Sequence, residues 1–361
     1  MKILVLNCGS SSIKYQFIDT DEKITLAKGQ VERIGMSSAV LTHQPHGKEK
    51  IRIVGEILDH TIAIEYVVAV LLSPNHGVIK DKKEIDAVGH RVVHGGETFS
   101  GSVLITDQVM NALKENIELA PLHNPPAAEV IKIAIEKFPQ TKQFAAFDTA
   151  YFKNLPEFVK TYPIDREIAE KYSIIKYGFH GFSHQEMALQ FDPHKNKKIV
   201  TVHLGAGCSA SAISSGKPID TSMGFTPIEG LPMQTRSGDL DPEIVLYLVE
   251  KIGIKKTKEL IEYRSGLAGI SGESGDMLEL LESNDKYSRL AIEIFCYRIK
   301  KYIGAYAAAL GGIDTVVFSG EIGYGSEFIR KKITFGLKYL NFKTEKLKPN
   351  EELTIAKKIN K

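Results

Sequence analysis

A hydrophobic run, Ile3-Leu4-Val5-Leu6, leads into the polar stretch Asn7-Cys8-Gly9-Ser10-Ser11-Ser12, and Ile13-Lys14-Tyr15-Gln16-Phe17-Ile18-Asp19 follows as a second strand. A strand, a short Gly/Ser turn and a returning strand predict a hairpin. The pattern recurs in the second half, where Lys198 to Leu204 runs into Gly205-Ala206-Gly207-Cys208-Ser209 and Ala210 to Ser214 returns. The two hairpins read as copies of one design. A third strand, Thr315 to Phe318, meets the Gly-rich turn Ser319-Gly320-Glu321-Ile322-Gly323 after an amphipathic helix from Ser288 to Leu310 that ends at Gly311-Gly312. Helical spacing also marks Thr106 to Ala120, and Asn124-Pro125-Pro126 caps a helix over Ala127–Lys137 that Pro139 stops. Gln143 to Phe147 is a short apolar strand, so Asp148 falls at its carboxyl end, where open α/β sheets place ligands. Ser183-His184-Gln185-Glu186 spells a capping box for the helix that follows, which assigns Ser183 no chemistry. Asp241-Pro242 reads as a cap and first-turn proline for Glu243–Lys251, with Asp239 a weaker site candidate. Alternating strands and helices predict an α/β protein.

Composition narrows this reading. With 361 residues, 43% hydrophobic and 25% charged, the chain is long enough for two domains with separate cores. A net charge of +2 with interspersed signs points to no nucleic acid and no membrane surface, and leaves a small charged metabolite as partner. The opening Met1-Lys2-Ile3 lacks a signal-peptide core, and the apolar run Tyr66 to Leu72 is too short to span a bilayer, so a cytoplasmic location is expected. Cys8, Cys208 and Cys296 have no CxxC spacing and are expected to be free thiols.

The turns suggest the chemistry. Gly9 lets a ligand approach the backbone, Ser10, Ser11 and Ser12 offer hydroxyls, and Lys14 adds a cation, a combination suited to phosphate. An ordinary serine-rich turn explains the first hairpin alone equally well. Arg91, between apolar residues, fits a buried ion pair as well as a site, and His180 beside Phe179 fits a satisfied core histidine. His90 and His94 flank Arg91 without a third ligand to make a metal site.

Longer motifs decide between these readings. Leu6 to Lys14, Gly89-His90-Arg91-Val92-Val93-His94-Gly95-Gly96, Phe147-Asp148-Thr149-Ala150, Tyr177-Gly178-Phe179-His180-Gly181, His203-Leu204-Gly205, Asp220 to Pro227, Thr235-Arg236-Ser237-Gly238-Asp239 and Asn350-Glu351-Glu352-Leu353 together resemble the acetate kinase family, end to end and in order. The resemblance implies two RNase H-like domains of the actin, sugar-kinase and Hsp70 ATPase type with a cleft between them. Residues 1–150 plus about 349–361 would form the first, 151–348 the nucleotide-binding second, and the halves would close over ATP. It implies reversible, magnesium-dependent in-line phosphoryl transfer between ATP and acetate, giving ADP and acetyl phosphate, with manganese as an alternative ion, and a homodimer. The weighed alternatives are a kinase for propionate or another short acid, and a degenerate nucleotide-sensing homologue.

Carried over by position, Arg91 and Arg236 would hold the carboxylate and the phosphoryl group, and His180 would donate to its equatorial oxygens. Asp148 and Asn7 would organise metal, phosphate and arginine, with Asn7 and Glu351 at the magnesium. Val93, Leu122, Phe179 and Pro232 would line the pocket for the acetate methyl, with His123 beside them. Ser10, Ser12, Lys14, His203, Leu204, Gly205, Ala206, Gly207, Asp276, Met277, Leu278, Gly320, Glu321, Ile322 and Gly323 would face the nucleotide. The chain departs from the family pattern at Ala206, commonly Asn, at Leu278, commonly Arg, and at Glu321, commonly Gly. Glu321 would either obstruct the nucleotide or hydrogen-bond a ribose or base. Tyr324-Gly325 replaces the usual Glu-Asn, and the stretch from Lys338 to Asn350 leaves little room for a further strand.

Overall fold

The computed structural model describes residues 1–9, 11–96, 98–99, 101–117 and 124–360. Met1–Ala150 with Asn350–Lys361 make one compact unit and Tyr151–Pro349 the other.

In the first unit, β1 (Lys2–Cys8), β2 (Ser12–Asp19), β3 (Ile24–Glu32), β4 (Ala39–Pro45) and β5 (Ile51–Gly55) form an antiparallel meander, followed by α1 (His60–Leu72). Then come β6 (Ala87–Val92), β7 (Ser102–Leu104), α2 (Asp107–Glu115), α3 (Asn124–Lys137) and β8 (Lys142–Phe147). The strand order is β5-β4-β3-β2-β1-β6-β8-β7, with β1, β6 and β8 parallel. The first hairpin is as expected, Cys8 opposite Ile13. Leu4, Leu6, Tyr15, Phe17 and Val31 meet Ile64, Val67 and Leu71 of α1 and Val130 and Ala134 of α3 in the main core.

The second unit contains α4 (Glu157–Lys160), α5 (Arg166–Lys171), α6 (Gly181–Phe191), β9 (Lys198–Leu204), β10 (Cys208–Ser214), β11 (Lys217–Thr221), α7 (Pro242–Ile252) and α8 (Ile254–Tyr263). It continues with α9 (Gly266–Ser271), α10 (Met277–Glu282), α11 (Lys286–Leu310), β12 (Thr315–Ser319), α12 (Gly320–Gly325), α13 (Glu327–Thr334) and β13 (Lys343–Lys346). Its sheet runs β11-β10-β9-β12-β13, an antiparallel hairpin extended by two parallel strands. The first unit has the same five-strand arrangement in β3-β2-β1-β6-β8, so the hairpin motif read twice in the sequence belongs to a duplicated sheet. Met187 and Ala188 of α6 pack on Ile199, Ile213 and Val317 over one face of the second sheet. After β13 the chain returns to the first unit, where α14 (Glu351–Ile359) packs on β1, β2 and β6.

Several elements differ from expectation. The stretch Lys338 to Asn350 does hold a strand: β13 needs only four residues, all exposed, because an edge strand bonds on one side. The Gly320-Glu321-Ile322-Gly323 turn is the opening of helix α12. Gly320 has φ +81, and a Cβ there would lie 2.3 Å from the Leu204 carbonyl oxygen, so only glycine fits. Helix α2 stops at Glu115, and Asp285 starts α11 at Lys286 by accepting from the amides of Tyr287 and Ser288. Asp241 caps α7 as expected, while Asp239 is structural, accepting from the Gly230 amide at 2.8 Å and the Tyr302 hydroxyl at 2.6 Å.

Candidate active site

In the first unit the carboxyl ends of three adjacent parallel strands meet. They bring Asn7 from β1, Arg91 from β6 and Asp148, just past β8, to one place. Arg91 forms an ion pair with Asp148 at 2.9 Å and another with Glu351 at 3.1 Å, and donates to the Asn7 amide oxygen at 3.4 Å. The Asn7 amide donates to Glu352 at 3.3 Å, and Gln16 donates to the other Glu352 oxygen at 3.2 Å. Glu351 and Glu352 arrive on the first turn of α14, where Asn350 caps the Leu353 amide and the helix dipole favours negative charge. Glu352 and Gln16 are participants that the motifs did not single out as site residues.

Burial works against the charge on Arg91, but Glu351 and Asp148 outweigh it and hold the guanidinium firmly protonated. Glu351 is pushed up to about 7, first by burial and then by Asp148 and Glu352, with Arg91 and Lys14 opposing. Three carboxylates thus surround one guanidinium, a charge balance that a divalent cation would improve. Among the described residues no group of three His, Cys, Asp or Glu side chains forms a ready-made metal cage. The donor set therefore fits a hard cation that takes one or two carboxylates and completes its shell with phosphate oxygens and water.

The β1–β2 turn is closed by the Gly9 amide donating to the Ser12 carbonyl at 2.8 Å, and His60 donates from Nε2 to the Gly9 carbonyl at 3.0 Å. Lys14 and Gln16 both border the cavity that Glu352 also lines. Ser10, Leu122 and His123 lie outside the described residues. Val93 is half-buried; Phe179 and Pro232 are buried.

In the second unit His180 occupies the left-handed backbone region at φ 58 and precedes α6 as its N-cap. Its Nδ1 lies 2.7 Å from the Ser209 hydroxyl, and its ring centroid lies 4.5 Å from that of His203. A Cβ built on Gly207 would meet His180 Nε2 at 3.1 Å and an Arg236 terminal nitrogen at 3.6 Å, so the imidazole and the guanidinium converge on this glycine of the second hairpin. Arg236 is anchored by the Pro227 carbonyl at 3.2 Å and the Met233 sulfur at 3.6 Å. Burial lowers its pKa, with Glu262 opposing. The arrangement offers donors and positive charge to an anion whose negative charge is spread over several oxygens.

Ser183 corrects the sequence reading. The helix begins at Gly181 because His180 takes the cap, so Ser183 sits inside the first turn, and its hydroxyl meets His203 Nδ1 at 2.8 Å. It positions a predicted site histidine rather than capping a helix.

A cavity of about 500 Å³ lies against this hairpin, lined by Gly205, Ala206, Asp276, Met277, Leu278, Glu321 and Ile322 among the expected nucleotide residues, together with Gln234, Gly275, Gly325, Ser326, Glu327 and Phe328. Asp276 spends a carboxylate oxygen on the Leu278 and Glu279 amides as the cap of α10. Leu278 is 69% exposed and Glu321 is also exposed, so both departures sit at the cavity's margin. Leu204, by contrast, is core, and Gly323 packs against it.

A model of the acetokinase family matches residues 2–358. The acetate kinase of Thermoanaerobacterium thermosaccharolyticum is 50% identical over 359 residues, covering 96% of this chain and 90% of that protein. The crystal structure of Porphyromonas gingivalis acetate kinase superposes with a TM-score of 0.92 at 37% identity, covering 99% of both chains. A propionate kinase structure from Francisella tularensis is nearly as similar, with a TM-score of 0.91 at 36% identity over 99% of this chain and 98% of that one.

Proposed function

We propose how the described residues perform the transfer that follows from one premise: the chain belongs to the acetokinase family, phosphotransferases with a carboxyl group as acceptor. The reaction is phosphoryl exchange between ATP and acetate, giving ADP and acetyl phosphate. A carboxylate is a weak, negatively charged nucleophile approaching a phosphoryl group ringed by negative oxygens, so catalysis rests on alignment and fixed positive charge. The convergence of His180 Nε2 and Arg236 on Gly207 carries this reading, since a guanidinium and an imidazole nitrogen gathered at a glycine turn suit phosphoryl oxygens. Arg91, its fork steered by Asp148, Glu351 and Asn7, holds the acid carboxylate or the phosphoryl group.

Magnesium, or manganese in its place, would be held by Glu351 with Asp148 and Asn7 nearby and would offset phosphate charge when bound. The 500 Å³ cavity takes the nucleoside, with Ala206 and Gly205 at its phosphate end and Leu278, Phe328 and Glu321 towards base and ribose. β-Branched Val93 favours acetate over propionate, a preference of about 1–3 kcal/mol for one methylene. The protein acts as a homodimer through α7, whose eleven residues include none that is buried although Ile244, Leu246 and Tyr247 are large and apolar.

With ATP, magnesium and acetate, purified protein is expected to yield acyl phosphate trappable by hydroxylamine, faster than with propionate. Reaction with propionate alone would move the chain to the alternative acid. ATP binding without either reaction would make it a nucleotide sensor.

A further inference from the structure

Behind His180 the structure contains an unbroken series of side-chain hydrogen bonds. His180 Nδ1 meets the Ser209 hydroxyl at 2.7 Å, and that hydroxyl meets His184 Nε2 at 2.7 Å. His184 Nδ1 then meets the Thr201 hydroxyl at 2.7 Å, and Thr201 reaches the Ser211 carbonyl across the β9–β10 pair at 3.4 Å. His184, Ser209 and Thr201 are each 0% exposed, so water does not compete for these groups. Burial holds the His184 pKa well below the ordinary histidine value, which keeps that ring neutral with one N–H and one lone pair.

A carbonyl oxygen only accepts, and this sets the direction of every bond in the series. Thr201 donates to Ser211 and therefore accepts from His184 Nδ1–H. His184 Nε2 is then a lone pair that accepts from Ser209, and the Ser209 oxygen accepts from His180 Nδ1–H. Each hydroxyl donates once and accepts once. The opposite polarity would turn the Thr201 proton towards His184 and leave the Ser211 contact without a donor.

We infer that Ser209, His184 and Thr201 are positioning residues that lock His180 with its first proton on Nδ1. Nε2, the nitrogen beside Gly207 and Arg236, then donates to a phosphoryl oxygen only when the ring is an imidazolium. This deepens the role proposed for His180 and rests on that reading. It also accounts for two histidines one helical turn apart, His180 at the cap of α6 and His184 within it, of which the first lies beside Gly207 and the second behind it against β9 and β10. No proton changes hands in the transfer: His180 supplies charge and a fixed N–H, and the ring keeps its protons as the P–O bond to acetate forms and the bond to ADP breaks.

The test is ¹⁵N NMR of histidine-labelled free protein combined with turnover. In the wild type the neutral His180 ring is expected to show a protonated Nδ1 and an unprotonated Nε2. Thr201→Val keeps shape but removes the hydroxyl; it is expected to mix the tautomers and lower kcat roughly 10-fold with KM for acetate and ATP little changed. Thr201→Ser restores both signals. A neutral wild-type ring carrying its proton on Nε2 overturns the inference, as does Thr201→Val with an unaltered tautomer. Altered tautomers with wild-type kcat would uphold the series and remove His180 from the transfer, a failure of the proposed role alone. If Thr201→Val does not fold, the wild-type ring signal decides.

Discussion

Arg91 and Arg236 are both cations at the proposed site, yet their surroundings predict different consequences of removal. Arg91 pairs with Asp148 and Glu351, so Arg91→Ala removes the cation that balances these buried carboxylates and is expected to cost about 3–5 kcal/mol of stability as well as activity. Arg236 is anchored by a carbonyl and a thioether, so Arg236→Ala should lower kcat about 100-fold or more with little change in the urea midpoint. Wild-type kcat in Arg236→Ala would take that residue out of the mechanism. Gly207→Ala places a methyl 3.1 Å from His180 Nε2, and the ring must yield by a few tenths of an ångström. Roughly a tenfold loss of kcat with an intact fold is expected, because misplacing a reacting group is costly. At this scale the long motifs single out the arginines, Asp148 and His180, and the structure sets Arg91 against Asp148 and brings His180 and Arg236 to Gly207. Ser183 was misread because its S-x-x-E spelling is local, whereas the bond to His203 depends on β9, which only the tertiary structure brings near. Ser209 and His184 were equally hidden, being ordinary residues in a hairpin and a helix until their side chains meet.

Among the elements, the hairpins, α3 and the cap of α7 follow from turn and capping chemistry that a sequence states directly. The fifth strand of the second sheet did not, since four exposed residues bonded along one edge carry no hydrophobic alternation to read. The Asn-Glu-Glu segment was expected to join residues 1–150, but neither the helix it opens, α14, nor the seat of that helix was expected. Gly89 on β6 provides that seat: a Cβ there would lie 2.5 Å from the Ile359 side chain and 3.3 Å from that of Ile355. Gly89→Val should lift α14, cost about 1–3 kcal/mol in urea unfolding, and lower turnover by displacing Glu351 from Arg91 and Glu352 from Asn7. Unchanged turnover despite lower stability would show that those carboxylates need no such precise placement.

For the molecule as a whole, buried histidines set the response to acid. His90, 2% exposed and bonded to Gln143 at 2.8 Å, has its pKa lowered to about 4 by burial, and burial also holds His184 well below the ordinary histidine value. At these two histidines the unfolded chain binds more protons than the folded one below pH 6.5, so their contribution lowers stability as pH drops towards 4, while Glu351, pushed up to about 7, acts in the opposite sense. At pH 5 His90 alone should cost about 2 kcal/mol relative to neutral pH. Urea midpoints at pH 7.5 and 5.0 check this, and His90→Gln should flatten the difference. The proposed dimer is a second property of the whole: Ile244→Glu with Leu246→Glu should convert the protein to a monomer by sedimentation, and a wild type that sediments as a monomer removes α7 from that role.

The path of the chain through its two units has a further consequence during synthesis. A ribosome emits Met1–Ala150 first, but the helix that fills the groove over Gly89 follows only after the whole of Tyr151–Pro349 has been made. Until then Arg91 has Asp148 but lacks Glu351, and the apolar seat of α14 stands open to chaperones. The nascent enzyme is therefore expected to stay catalytically silent until translation has passed that helix, so that a stalled or prematurely ended chain spends no ATP.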